Sequence, residues 1–132
     1  MVKQFTLGKQ ERLKSRKSIE LLFQSGSRFS VGCLRVFYLT QPVPGLLAGV
    51  GVSSKNFKKA ADRNRVKRLT REVYRLQKSH LLDKLTAAGK GLHFFFIYTS
   101  KDLPVYADLY ETMTIILNRL VKYSDESTAA NT

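Results

Sequence analysis

The segment Leu92–Thr99, LHFFFIYT, limits the fold of this chain more than any other. Almost every residue in it is apolar or aromatic, so it lacks the alternation of a strand with one wet face. It predicts a central strand covered on both faces. His93 interrupts the run, which is far too short to span a bilayer.

The flanking segments supply the layers. Arg28–Thr40, rich in Phe, Val and Tyr, predicts two strand segments bent at Gly32; in the second, Arg35 and Phe37 share one face and Val36 and Tyr38 the other. Gln41–Gly45 is a turn by its prolines and glycine, and Leu47–Ser54 follows as the next strand of a hairpin or meander. Gly49 and Gly51 fall on one face of that strand, which suits either a close sheet–helix contact or a trough for another backbone. Ahead of the strands, Ile19, Leu22 and Phe23 recur at helical spacing, with Ser15 or Ser18 as cap and Gly26 as stop. A short segment, His80–Ala88, is stopped by Gly89 and Gly91. The last helix is predicted over Val105–Lys122, burying Tyr106, Leu109, Tyr110, Met113, Ile116, Leu117 and Leu120. The order predicts an α+β fold, a mixed sheet of about four strands packed with three helices. At 132 residues the expected organisation is a flexible basic arm over 1–8, a single α+β domain over 9–123 and a disordered tail over 124–132.

Charge is unevenly spread along this frame. Lys55–Lys78 holds ten of the 23 basic residues against Asp62 and Glu72, a local net charge of +8 out of +13. Read as one helix, it places Val66, Leu69, Val73 and Leu76 in an apolar stripe. Asn64, Lys67, Arg68, Arg71, Arg75 and Lys78 lie opposite, and Arg63 and Arg65 fall at the two borders, on either side of the helix. Such a face asks for a polyanion. A membrane surface fits poorly, because the stripe is narrow and short of bulky aromatics. A DNA helix-turn-helix fits poorly too, because the preceding segment is strand-like rather than helical. RNA suits a rigid row of cations, and Arg12, Lys14, Arg16 and Lys17 just before Phe23 add a charge-plus-aromatic mixture suited to single strands.

Catalytic chemistry is not legible. His80 and His93 are the only histidines and Cys33 the only cysteine, so no metal set, Cys–His pair or disulfide can be built. Neither a Gly-rich phosphate loop nor a Gly-x-Ser-x-Gly elbow occurs. The lone cysteine and an N-terminus without an apolar signal core predict a cytoplasmic protein.

Arg63-Asn64-Arg65-Val66-Lys67-Arg68-Leu69-Thr70-Arg71-Glu72, following the strand Val50–Lys55 and the connector Asn56–Asp62, closely resembles the hallmark run of the protein subunit of bacterial ribonuclease P. The likeness continues in Arg12-Leu13 leading into Ile19, Leu22 and Phe23, in Gly26, and in the later strand and helix, over about residues 9–121. The resemblance implies a left-handed strand–helix–strand crossover around the basic helix. It also implies a ribonucleoprotein that cuts the 5′ leader from precursor tRNA, with hydrolysis carried by an RNA subunit and its bound Mg²⁺. The catalytic RNA would then be held by Lys55, Arg63, Asn64, Arg65, Lys67, Arg68, Arg71 and Arg75. The single-stranded leader would lie in a cleft between the first helix and the sheet, near Arg16, Lys17, Ile19, Phe23, Arg35 and Phe37. No further protein partner and no membrane are expected. A structural RNA-binding protein of ribosomal type is the alternative.

Four positions depart from the family pattern. Ile19 stands where relatives carry Phe, and Ser54 replaces the first of two paired lysines. His93 stands where relatives often have Asp, and the basic residue usual after that strand is delayed to Lys101.

Overall fold

The computed structural model describes residues 12, 13 and 15–130, with side chains as far as Tyr123; the expected arm over 1–8 lies outside them. Four strands form one mixed sheet: β1 (Ser27–Val31), β2 (Leu34–Gln41), β3 (Gly45–Val52) and β4 (Gly91–Tyr98), in the order β1-β2-β4-β3. β4 is therefore central, as its apolar sequence requires. It runs antiparallel to β2 and parallel to β3.

This order corrects the expected hairpin. β2 and β3 are consecutive in sequence but do not pair, since β4 lies between them. The Pro42–Pro44 connector passes over the first residue of β4, so tightly that a Cβ on Gly91 would stand 2.1 Å from the Val43 carbonyl oxygen. Only glycine lets the two backbones approach so closely.

Four helices accompany the sheet where three were expected: α1 (Arg16–Ser25), α2 (Ala60–Gln77), α3 (Ser79–Ala87) and α4 (Tyr106–Ala130). The additional one is α3. Lys78 keeps helical dihedrals (φ −71°, ψ −19°) at the junction, closing α2 and opening α3 at once. α4 continues past the expected end at Lys122, and its helical backbone extends into the segment expected to be a disordered tail. Tyr106 and Tyr110, expected to be buried on α4, are exposed, whereas Leu109, Met113, Ile116, Leu117, Leu120 and Val121 are buried.

Each face of the sheet carries its own apolar cluster. Leu34, Val36, Leu46, Ala48, Leu92, Phe94, Phe96 and Tyr98 point into the main core beneath α2, α3 and α4. The alternate residues of the strands meet Leu13 and Leu22 beneath α1. α1 begins where the Ser15 hydroxyl accepts the Ser18 amide at 3.3 Å and ends at Gly26. Gly26 has an ordinary φ of −75°. Its requirement for glycine comes from packing, because a Cβ there would lie 2.4 Å from the Leu22 carbonyl oxygen.

The basic segment is helical only from Ala60; Lys55–Lys59 belong to the connector after β3. The buried side of α2 is also turned relative to the expected stripe. Val66, Thr70, Val73 and Tyr74 are buried, while Leu69 and Leu76 are half-exposed. Thr70 can occupy this stripe because its hydroxyl donates to the Val66 carbonyl at 2.8 Å, leaving only its methyl to pack. Tyr74 sets its ring 5.2 Å from Phe94 and 5.8 Å from Phe96. A buried ring of this size contributes about 1.5–3 kcal/mol, enough to set the rotation of the helix against two leucines that stay half-exposed.

Candidate nucleic-acid interface

The turned stripe redistributes the basic residues of α2. Asn64, Arg65 and Arg68 are exposed, and Lys67, Arg71 and Arg75 are half-buried. Arg63 is drawn inward: its Nη1 donates to the carbonyl oxygens of Phe57 and Lys58, each at 2.8 Å. It thus differs from Arg65, which was expected at the other border of the helix and stays exposed. Lys55, Lys58 and Lys59 are exposed in the connector that Arg63 holds. Arg75 is engaged by Glu72 through Nε at 3.2 Å and also through Nη2, so its charge is partly neutralised.

Arg12 is a member of this cationic face that the sequence did not assign to it. The stretch Arg12–Leu13 lies along the outer edge of β3, with Arg12 bridged in parallel to Ala48 and the Leu13 amide donating to the Ala48 carbonyl at 2.9 Å. This brings Arg12 to α2, where it lines a cleft of about 220 Å³ with Arg68, Arg71, Glu72 and Arg75. Burial, and after it the Arg12 charge, hold the Arg71 guanidinium below the ordinary arginine pKa. Cations gathered against this penalty attract phosphate oxygens, which supply both charge and hydrogen-bond acceptors. The signal in the sequence was the Arg12-Leu13 pair itself, grouped there with Arg16 and Lys17.

The second surface is the sheet face that α1 covers only in part. Cross-strand register sets out its rows: Ser30, Arg35, Ile97 and Gly51; then Arg28, Phe37, Phe95 and Gly49; then Leu39, His93 and Leu47. Phe23 of α1 reaches over the middle row, its ring 4.8 Å from Phe37 and 5.3 Å from Phe95, both edge to face. Phe37 is only 7% exposed, so it forms the floor beneath Phe23, whereas Phe23 is 40% exposed. Ile19 is half-buried in the same cluster, and Arg16, Lys17 and Arg35 are exposed around it. Arg35 shares a shallow depression with Arg28, Phe29 and Ser30. Exposed aromatic surface ringed by arginine and lysine is what single-stranded nucleic acid binds, through stacking and backbone charge together.

Gly49 and Gly51 serve neither of the two expected purposes. A Cβ on Gly49 would stand 2.4 Å from the Phe95 ring, and one on Gly51 2.8 Å from it. The trough they make is filled by Phe95 of this same chain. Phe95 is thus a cleft aromatic absent from the sequence assignment, hidden within an apolar run that offered no means of separating its two faces.

No catalytic group emerges from this geometry. His80 is exposed, and burial holds the half-buried His93 below the ordinary histidine pKa and Cys33 above the ordinary thiol value. Among the described residues, no three His, Cys, Asp or Glu side chains come together to hold a metal ion. Among the described residues, no helix is long and apolar enough to cross a membrane.

Comparison with known proteins identifies the family. The family description Ribonuclease P matches residues 7–121. The ribonuclease P protein component of Porphyromonas gingivalis strain W83 is 37% identical over 119 residues, spanning 88% of this chain and 87% of that protein. That of Desulfovibrio desulfuricans is 37% identical over 93 residues, 67% of this chain and 72% of that protein. The fold superposes on the RNase P protein of Thermotoga maritima with a TM-score of 0.67, at 24% identity over 83% of this chain and 96% of that one. It superposes on the Staphylococcus aureus RNase P protein with a TM-score of 0.64, at 21% identity over 82% and 93%. An arginine-faced helix following a β3 strand, a second basic-aromatic sheet surface, and a family match that spans both lead to one conclusion: this chain belongs to the ribonuclease P protein family.

Proposed function

We propose that the chain is the protein component of ribonuclease P, assisting a catalytic RNA in removing the 5′ leader from precursor tRNA. The observation that carries this reading is the pair of chemically distinct surfaces on opposite sides of one sheet. On one side, Lys55, Asn64, Arg65, Lys67, Arg68 and Arg71, joined by Arg12, hold the RNA subunit through its phosphates. On the other, Phe23 with Arg16, Lys17 and Arg35 receives the unpaired leader. Phe37 supports Phe23 from beneath rather than stacking on a base itself, Ile19 packs into the same cluster, and Arg63 acts by holding the connector. A structural RNA binder of ribosomal type needs the first surface and has no use for the second.

Hydrolysis falls to the RNA subunit, with Mg²⁺ held mainly by that RNA and supplying there the charge stabilisation and activated water that phosphodiester cleavage needs. What this chain contributes is grip and placement, in the cytoplasm where precursor tRNA is made. Reconstitution tests the assignment. Added to a bacterial ribonuclease P RNA at low Mg²⁺, the protein stimulates leader removal; a cognate RNA that gains nothing from the protein overturns it.

A further inference from the structure

Phe95 is the least explained side chain on the open sheet face. A side chain on a strand ordinarily stands away from the sheet. The Phe95 ring instead occupies the positions that Cβ atoms on its cross-strand neighbour Gly49 and on Gly51 would take, with Cδ2 and Cε2 over the first and Cε1 and Cζ over the second. The ring thus leans across β3 and fills the space that the two missing side chains leave. Phe23 meets it edge to face, with the two planes at 81°, and so does not cover it as a stacked ring would. Phe95 is accordingly left half-exposed in a row between Phe37 and a strand that has no side chains there.

We propose that Phe95 is a base-stacking residue of this face, a platform on which one unpaired leader nucleobase lies flat. The inference rests on the leader-binding reading and names a residue and a binding mode within it. Two glycines in a strand weaken it, since they add backbone entropy and bury no side chain. Here they clear a shelf at the level of the ring. Arg35, one row along and exposed, stands beside Ile97, where it can meet the phosphate of the stacked nucleotide. Recognition through a ring face accepts any base and favours the larger purines, because overlap grows with ring area. Gly49 then acts as a positioning residue, holding Phe95 flat without touching RNA.

The test uses the protein assembled with a bacterial ribonuclease P RNA, comparing precursor tRNA that carries a leader with mature tRNA. Phe95→Leu is expected to weaken binding of the leader-bearing precursor by about 5- to 150-fold, leaving mature tRNA unchanged. Gly49→Ala is expected to cause the same selective loss with the phenylalanine intact, since the new Cβ forces the ring off the shelf. The chain contains no tryptophan, so Phe95→Trp places one emitter on the shelf while keeping a flat aromatic ring. Its emission is expected to be quenched by the precursor and not by mature tRNA, a readout that still decides should the leucine variant fail to fold. Unaltered affinity in folded Phe95→Leu, equal losses for both substrates, or tryptophan emission indifferent to the leader each overturns the proposal. A wild-type assembly that binds the two substrates equally overturns the leader reading itself.

Discussion

Arg63 holds Phe57: its Nη1 donates to the Phe57 carbonyl at 2.8 Å while sharing itself with Lys58 at the same distance. An arginine inside the most recognisable run of the sequence thus spends one end of its guanidinium on its own backbone. Arg63→Ala is expected to release the connector bearing Lys55, Lys58 and Lys59 and to lower stability by about 1 kcal/mol, the contribution of partly solvated hydrogen bonds. Arg65→Ala, at an exposed position, is expected to leave the melting temperature unchanged and weaken only RNA binding. Thermal unfolding of the two variants, set beside their affinity for the RNA subunit, checks this; matching behaviour in both measurements would contradict the distinction.

Salt titration reads the cationic cleft directly. Removing one phosphate contact flattens the dependence of log affinity on log salt by about 0.7–0.9. Arg68→Ala and Arg12→Ala are both expected to show that change when the RNA subunit is titrated. An unchanged slope for Arg12→Ala would mean that its position beside Arg71 serves no RNA.

Phe23 and Phe37 touch each other but are expected to fail differently. Phe23→Ala removes a side chain that is 40% exposed, and costs about 1–3 kcal/mol of affinity for leader-bearing precursor if it stacks on a base. Phe37→Ala empties a site that is 7% exposed, and costs about 3–5 kcal/mol of folding stability. Urea unfolding and precursor binding, measured on both variants, separate the two roles.

Gly91→Ala is expected to be among the most damaging small substitutions in the chain. The new methyl would meet the Val43 carbonyl oxygen at 2.1 Å and the Gly45 carbonyl oxygen at 2.7 Å, both backbone atoms. Overpacking of this kind costs about 1–3 kcal/mol or more, because neither strand can yield without breaking its ladder. A urea midpoint close to wild type would show that the connector gives way freely.

Burial holds the folded-state pKa of His93 below its ordinary value. The unfolded chain therefore takes up a proton first as pH falls, and stability follows. Stability from this group is fully present above about pH 6.5, the ordinary histidine value, and declines as pH drops toward the lower folded value. His93→Asn is expected to flatten that acid limb in a series of unfolding curves, and an identical limb in the variant would assign the effect elsewhere.

Much of this molecule was legible because single residues carried unambiguous instructions. The apolar run Leu92–Thr99 announced a central strand, Ser15 and Gly26 bracketed the first helix, and the Arg63–Glu72 run carried the family resemblance. What stayed hidden depended on partners remote in sequence. Thr70 and Tyr74 rather than Leu69 and Leu76 set the rotation of α2, since a bonded hydroxyl and two phenylalanines on β4 decide it. Phe95 could not be told from Phe94 or Phe96 by periodicity, because all three are apolar and the strand is covered on both sides. Arg12 joined α2 through a backbone bridge to Ala48, which side-chain patterning cannot express.

The placement of β4 between β2 and β3 has a consequence for how the chain reaches this state. As residues leave the ribosome, β1 and β2 can close as a local antiparallel pair, but β3 has no strand partner until Gly91–Tyr98 has been made. The connector at Pro42–Pro44 must meanwhile keep β2 and β3 about 9–10 Å apart, two strand spacings, to leave the slot open. α2, already carrying its arginines, lacks the Phe94 and Phe96 floor until the slot fills. Docking of α2 and closure of the sheet are thus one late, long-range event, the kind that slows folding. A nascent chain presents this helix in its final orientation only after the central strand has slid home.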